Sequence, residues 1–179
     1  MILVINTCKE KLHFHEFVKP VGNVLINHGI QGFIRHYTCL RKKDIEKADN
    51  IIICGTSLKD NEFVENVEKF KWILDYEKPI LGICGGMQII GLLYGGTLKN
   101  KTEIGFYTED FRKDFLGHMG KHEVYHLHNN YVDFSTIKEF EVYAGKKVSQ
   151  AVKHTEKEVY GVLFHPEVRN KELIQNFIA

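Results

Sequence analysis

A cysteine, a histidine and a glutamate stand in this sequence where covalent catalysis needs them. Cys84 lies in Pro79-Ile-Leu-Gly-Ile-Cys84-Gly-Gly-Met-Gln88, between an apolar run and a helix-like stretch, flanked by Gly82, Gly85 and Gly86. A nucleophile held on a sharp strand-to-helix turn requires small neighbours, because the backbone there is crowded and strained. The helix N-terminus favours the thiolate. The backbone N–H of Gly85 is placed to meet a developing oxyanion. A thiolate also needs a base, and the base an orienting group. His165 closes the apolar run Val159–Phe164, and Glu167 follows across the stiff Pro166. That short link can hold a carboxylate against the imidazole and favour its protonated form. Alone, the cysteine reads as a small buried hydrophobe and His-Pro-Glu as a turn. Together, each in its local setting, they point to a Cys84–His165–Glu167 catalytic set.

The elements that must carry these residues follow from apolar spacing. Ile2–Ile5 predicts a strand, Val18–Ile30 a helix ending near Gly29, Phe33–Tyr37 a strand and Lys43–Lys47 a short polar helix. The run Ile51–Cys54 predicts a strand buried on both faces. Phe63, Val67, Phe70, Ile73 and Leu74 predict a helix over Glu62–Tyr76. Pro79–Ile83 is a second buried strand and Met87–Tyr94 a helix, with Gly95-Gly96 as its stop. This alternation predicts an α/β fold with an open, mostly parallel central sheet and flanking helices, whose ligands sit beyond the carboxyl ends of the strands. The second half predicts a smaller antiparallel or mixed portion, from short strands at Phe106–Phe111, Glu123–Leu127, Phe140–Ala144, Ala151–His154 and Val159–Phe164, and a closing helix at Asn170–Ile178. Residues 1–179 are expected to form one domain.

Bulk properties exclude several classes. The formal net charge is +1 over 179 residues, so no strong field selects nucleic acid or an anionic membrane. No apolar run approaches the roughly 20 residues of a membrane helix, and Met1–Ile5 lacks the features of a signal peptide. Cytoplasmic location is the expectation. Cys8, Cys39, Cys54 and Cys84 form no CxxC pair or zinc-type ligand set, so no metal and no cofactor are expected. His13 and His15 read as surface histidines. His118, His122, His126 and His128 are denser; a loop over the active site is the favoured reading, and metal ligation the lesser one. Thr56 and Ser57 are open to capping the next helix.

Gly82-Ile-Cys84-Gly-Gly-Met-Gln88 resembles the nucleophile motif of class I, triad-type glutamine amidotransferases. Gly161-Val-Leu-Phe-His165-Pro-Glu167-Val168 resembles that family's C-terminal motif, and the similarity in layout covers nearly the whole chain. The resemblance implies Cys84 as nucleophile, His165 as general acid/base and Glu167 as orienting carboxylate. It implies that Gln88 helps to bind the substrate, L-glutamine. Glu103-Ile-Gly105 is similar to a segment after the elbow helix, and Tyr125-His-Leu-His128-Asn129-Asn130 to the segment that reaches the substrate's amino-acid end. Where the family has a Gly-Gly-Pro-like oxyanion loop, this chain reads Cys54-Gly55-Thr56-Ser57, leaving Gly55 or Thr56 to donate an amide. Leu163 stands where Gln is usual.

The resemblance implies hydrolysis of glutamine to glutamate and ammonia through a Cys84 thioester. No GxxxxGK[ST] loop is present, so ammonia would pass to a separate ATP-dependent synthetase subunit. The His-Pro-Glu-Val ending and compact length most resemble the glutaminase subunit of two-subunit GMP synthetases. The alternatives are the glutaminase of another synthetase, a stand-alone γ-glutamyl hydrolase, and an inactive regulatory domain on the same fold.

Overall fold

The computed structural model describes residues 1–179. Five strands lie parallel: β1 (Ile2–Asn6), β2 (Gly32–His36), β3 (Asn50–Ile53), β4 (Ile80–Ile83) and β9 (Val159–Val162). With β7 (Phe140–Ala144) and β8 (Ala151–His154) they form one seven-stranded sheet in the order β2-β1-β3-β4-β9-β8-β7. Only β8 runs against its neighbours. The run Val159–Phe164, expected in the antiparallel portion, therefore supplies a parallel strand beside β4. Strand residues alternate between two cores. Ile2 and Val4 face α1 (Lys19–Asn27) and α5 (Lys171–Ile178), whereas Leu3 and Ile5 face α4 (Gly85–Leu93) and Phe70. That is the period-two geometry of a strand with both faces covered. Full burial of each such Ile or Leu is worth about 1.5–3 kcal/mol.

Three expected elements differ in kind. The helix over Glu62–Tyr76 is a single α turn, α3 (Glu62–Glu65), followed by a 3-10 helix at Val67–Asp75. Val67, Phe70, Ile73 and Tyr76 recur every third residue, and a 3.0-residue turn stacks them on one face, with Phe70 and Ile73 fully buried. The helix expected over Val18–Ile30 begins as a π-helical turn at Phe14–Val18 and becomes α1 at Lys19, with Pro20 in its first turn. The short strands around residues 106–127 are parts of one long ribbon, β5 (Leu98–Phe115) and β6 (His118–Val132). Its turn, Leu116-Gly117, has positive φ at both residues, as a two-residue hairpin loop requires. His118, His122, His126 and His128 thus lie on a strand and not in a loop. Alternation keeps His118, His126 and His128 buried.

The α4 helix ends as expected. Gly95 takes φ +85°, its N–H donates to Leu92 O, and Gly96 N–H donates to Gly91 O. No helix is long and apolar enough to cross a membrane.

Candidate active site

Strands β3, β4 and β9 are adjacent and parallel, so their carboxyl ends deliver Gly55, Cys84 and His165 to one place. Cys84 is the hinge between β4 and α4. It sits at φ +49°, ψ −102°, and its N–H donates to Val162 O at 2.7 Å. Positive φ at a non-glycine residue is strained backbone held by its surroundings, the conformation of a nucleophile elbow. The elbow closes because α4 approaches β3 without side chains between them: a Cβ on Gly86 would fall 2.3 Å from Ile53 O. The amide of Gly85, at the start of α4, has no helical carbonyl to bond, and Gly85 lines the cleft beside Cys84.

His165 is fixed by two contacts. Its N–H donates to Tyr125 O at 2.9 Å, tying β9 to the ribbon, and its Nδ1 meets Glu167 Oε1 at 2.7 Å. Both side chains are buried. Burial alone would lower the imidazole pKa, but the charges of Glu167 and Cys84 outweigh it and raise His165 well above its ordinary value. Nε2 is buried without a hydrogen-bond partner, and Cys84 Sγ rests 3.7 Å from Leu127 O. The two groups are nonetheless close neighbours. A Cβ on Gly55 would stand 2.9 Å from Cys84 Cβ and 3.0 Å from His165 Cε1. Gly55 is thus the bare spot over which Cys84 Cβ and the His165 ring approach each other. Phe17, which the sequence did not single out, packs on the His165 ring at 5.4 Å between centroids.

The cleft is narrow, with a cavity volume of about 20 Å³, and is lined by Thr56, Ser57, Phe63, Cys84, Gly85, Gln88 and Leu127–Asn130, among others. Gln88 Nε2 donates to Asn130 O at 2.9 Å. Thr56 and Ser57 do not cap α3. The Thr56 hydroxyl donates to Asp60 at 2.6 Å, and Asp60 also accepts the N–H groups of Lys9 and Glu62. Asp60, buried and unmarked by any motif, organises the loop after β3. The ribbon then clips that loop: Asn129 Nδ2 donates to Leu58 O at 3.1 Å, and Asn130 Nδ2 to Asn61 Oδ1 at 3.2 Å. His128 lines the cleft, but its ring turns away from Cys84, with Nδ1 3.1 Å from Lys101 O. Burial lowers its pKa to about 4. Burial pushes the Cys8 thiol up to about 11 and that of Cys54 well above its ordinary value.

Residues 16–179 match the family Glutamine amidotransferase class-I. The chain belongs to that family. A glutamine-hydrolyzing GMP synthase subunit from Methanobrevibacter smithii is 35% identical over 120 residues, which is 60% of this chain and 62% of that one. The chain therefore spans less than two thirds of the length of the first GMP synthases it matches. Imidazole glycerol phosphate synthase subunit HisH 2 of Campylobacter jejuni is 33% identical over 161 residues, 76% of this chain and 81% of that one. The crystal structure of a Thermoplasma acidophilum protein, provisionally described as a GMP synthase subunit, superposes with TM-score 0.86 at 22% identity. That superposition covers 99% of this chain and 91% of the other, and it shows the fold.

Proposed function

We propose that this chain hydrolyses L-glutamine to glutamate and ammonia, with residues 1–179 acting as one glutaminase domain. The observation that carries the reading is the pairing of an elbow cysteine, Cys84 at φ +49°, with a buried His165–Glu167 couple just beyond the carboxyl end of the adjacent strand. The Cys84 thiolate attacks the side-chain amide carbon, and the amides of Gly85 and of Gly55 or Thr56 receive the oxyanion. The imidazolium of His165 gives its proton to the leaving nitrogen, and ammonia departs. The neutral imidazole then takes a proton from water, hydroxide adds to the thioester, and glutamate leaves as the thiolate returns. Glu167 holds the ring orientation throughout. Gln88, His128 and Asn129 shape the wall that receives the amino-acid end. Of these, His128 contributes its backbone, because its ring is engaged elsewhere.

The ammonia acceptor is reached through a separate ATP-dependent subunit in the cytoplasm, one that aminates XMP. The match to the Methanobrevibacter smithii GMP synthase supports this choice. The greater extent of the HisH 2 match favours a second reading, in which the same chemistry serves an imidazole glycerol phosphate synthase. Glutamate release measured with each candidate partner, its acceptor and, for the XMP case, ATP decides between them. Stimulation by the XMP-aminating subunit supports the first reading. Stimulation by the other alone supports the second, and full activity unchanged by either makes the chain a stand-alone hydrolase.

A further inference from the structure

Behind the cleft wall, β6 presents a group that the glutaminase chemistry does not use. His126 and His128, two residues apart, project from the same face of the strand. Glu103 on β5 is the cross-strand partner of His128, just past a register shift between Asn100 and Glu103, and lies diagonal to His126. Glu103 Oε2 stands 3.2 Å from His126 Nδ1 and 3.1 Å from His128 Nε2. One ligand atom from each of the three residues falls within 4.8 Å of the others. We propose that Glu103, His126 and His128 form a binding site for a divalent transition-metal ion of the zinc type, with water completing the shell.

The hydrogen-bond geometry favours an ion over a closed polar network. His128 Nδ1 lies 3.1 Å from Lys101 O, so that nitrogen carries the hydrogen and Nε2 presents a lone pair. Nε2 then faces the Glu103 carboxylate at 3.1 Å without hydrogen-bond geometry, buried and unpartnered. Two acceptors that close call for a cation between them. A hydrogen bond accounts for the His126–Glu103 contact, but not for this one. The outer contacts also suit a metal site. His126 Nε2, also buried without a hydrogen-bond partner, lies 3.4 Å from Glu109 Oε1, close enough for a carboxylate–histidine arrangement to form once an ion takes Nδ1. Gln150 Nε2 donates to Glu103 Oε2 at 3.0 Å and steadies the carboxylate from the main sheet. Glu103 and Glu109 have no lysine or arginine partner, so their two charges would balance a divalent ion. Zinc-type donors at about 2.0–2.1 Å in tetrahedral array stand about 3.4 Å apart, near the 3.2 and 3.1 Å from Glu103 Oε2 to the two imidazoles. Two imidazoles exclude calcium and magnesium, which take oxygen. The side chains of Glu103 and Glu109 are 16% and 17% exposed, leaving a path for the ion and its water. Bound there, the ion would staple β5 to β6 directly behind Leu127–Asn129.

The test uses the whole chain carrying Cys84→Ser, so that the catalytic pair offers no competing thiolate. After chelation and dialysis, Co²⁺ is titrated by its visible absorption and Zn²⁺ by calorimetry. One equivalent is expected, without a thiolate charge-transfer band and with a rise in melting temperature. Glu103→Gln and His128→Gln should each weaken binding at least about tenfold and abolish the thermal shift, while Glu109→Gln weakens it about 10–100-fold as an outer partner. Replacing the neighbouring pair His118 and His122 by asparagine should leave binding unchanged. Circular dichroism of each metal-free variant reports folding, and Glu109→Gln, at a partly exposed position, keeps the test valid if the buried variants unfold. No stoichiometric binding, binding indifferent to Glu103→Gln, His128→Gln and Glu109→Gln, or loss on changing His118 and His122 would overturn the assignment. None of these readouts depends on glutamine hydrolysis.

Discussion

His165 Nδ1 and Glu167 Oε1 are 2.7 Å apart, with both side chains 1% exposed. The pair sets the proton inventory of the cleft. The charges of Glu167 and Cys84 overcome burial and hold the imidazolium above its ordinary pKa of 6.5. The proposed donor to departing ammonia is therefore charged at neutral pH, and the alkaline limb of kcat/KM is expected above pH 6.5. Glu167→Gln should move that limb down and lower kcat roughly 10²–10⁴-fold. An unmoved limb would refute the role of Glu167.

The same shift has a signature in stability. A group whose folded pKa is raised takes up a proton on folding. Its contribution is fully present below the unfolded value and is lost as pH rises through the folded one. The part of the stability gap between wild type and Glu167→Gln that comes from His165 should thus be fully present below pH 6.5 and shrink as pH rises through the raised folded value. Urea titrations at several pH values measure it, and a gap that widens with pH contradicts the raised His165 value.

Gly55 separates packing from chemistry. A methyl group there would press on Cys84 Cβ and His165 Cε1 together, at 2.9 and 3.0 Å. Gly55→Ala is expected to leave the fold in place, to cost roughly a hundredfold or more in kcat, and to change KM little, since it disturbs the proposed reacting pair and a proposed oxyanion amide. Gly86→Ala presses instead on a backbone carbonyl, Ile53 O. It should destabilise the protein by about 1–3 kcal/mol or more, read as a lower denaturant midpoint. A Gly55→Ala enzyme as active as wild type would remove Gly55 from the site.

The clip between the ribbon and the loop after β3 should appear in substrate affinity. Asn129→Ala and Asn130→Ala each free one side of the loop at Leu58 or Asn61. Each is expected to raise KM several-fold with a smaller change in kcat, at about 1 kcal/mol per lost hydrogen bond. Equal losses in kcat and kcat/KM, with KM unchanged, would instead place these residues at the transition state.

What the sequence reveals follows from how local each feature is. Cys84 among glycines and His165 two residues from Glu167 are contiguous, so spacing alone exposes them. The buried strands at Ile51 and Ile80 are legible because both faces are covered. The 3-10 segment is harder to read, since Phe63 and Leu74 complete a helical pattern over residues that the tertiary packing holds at a period of three. Asp60, Phe17 and Tyr125 act through partners far along the chain. Glu103 meets His126 and His128 only once β5 and β6 pair past their register shift. No local pattern encodes such meetings.

The central claim, a γ-glutamyl thioester on Cys84, is tested most directly by acid-quenching the enzyme during turnover and locating the adduct by peptide mass spectrometry. Cys39→Ser removes the one exposed competing thiol. The account predicts a hydroxylamine-labile glutamyl adduct on the Cys84 peptide and none on Cys8 or Cys54, whose thiols burial keeps protonated. Cys84→Ala should be folded, unlabelled and unable to release glutamate. Glutamate release persisting in Cys84→Ala, or an adduct on another cysteine, would contradict it.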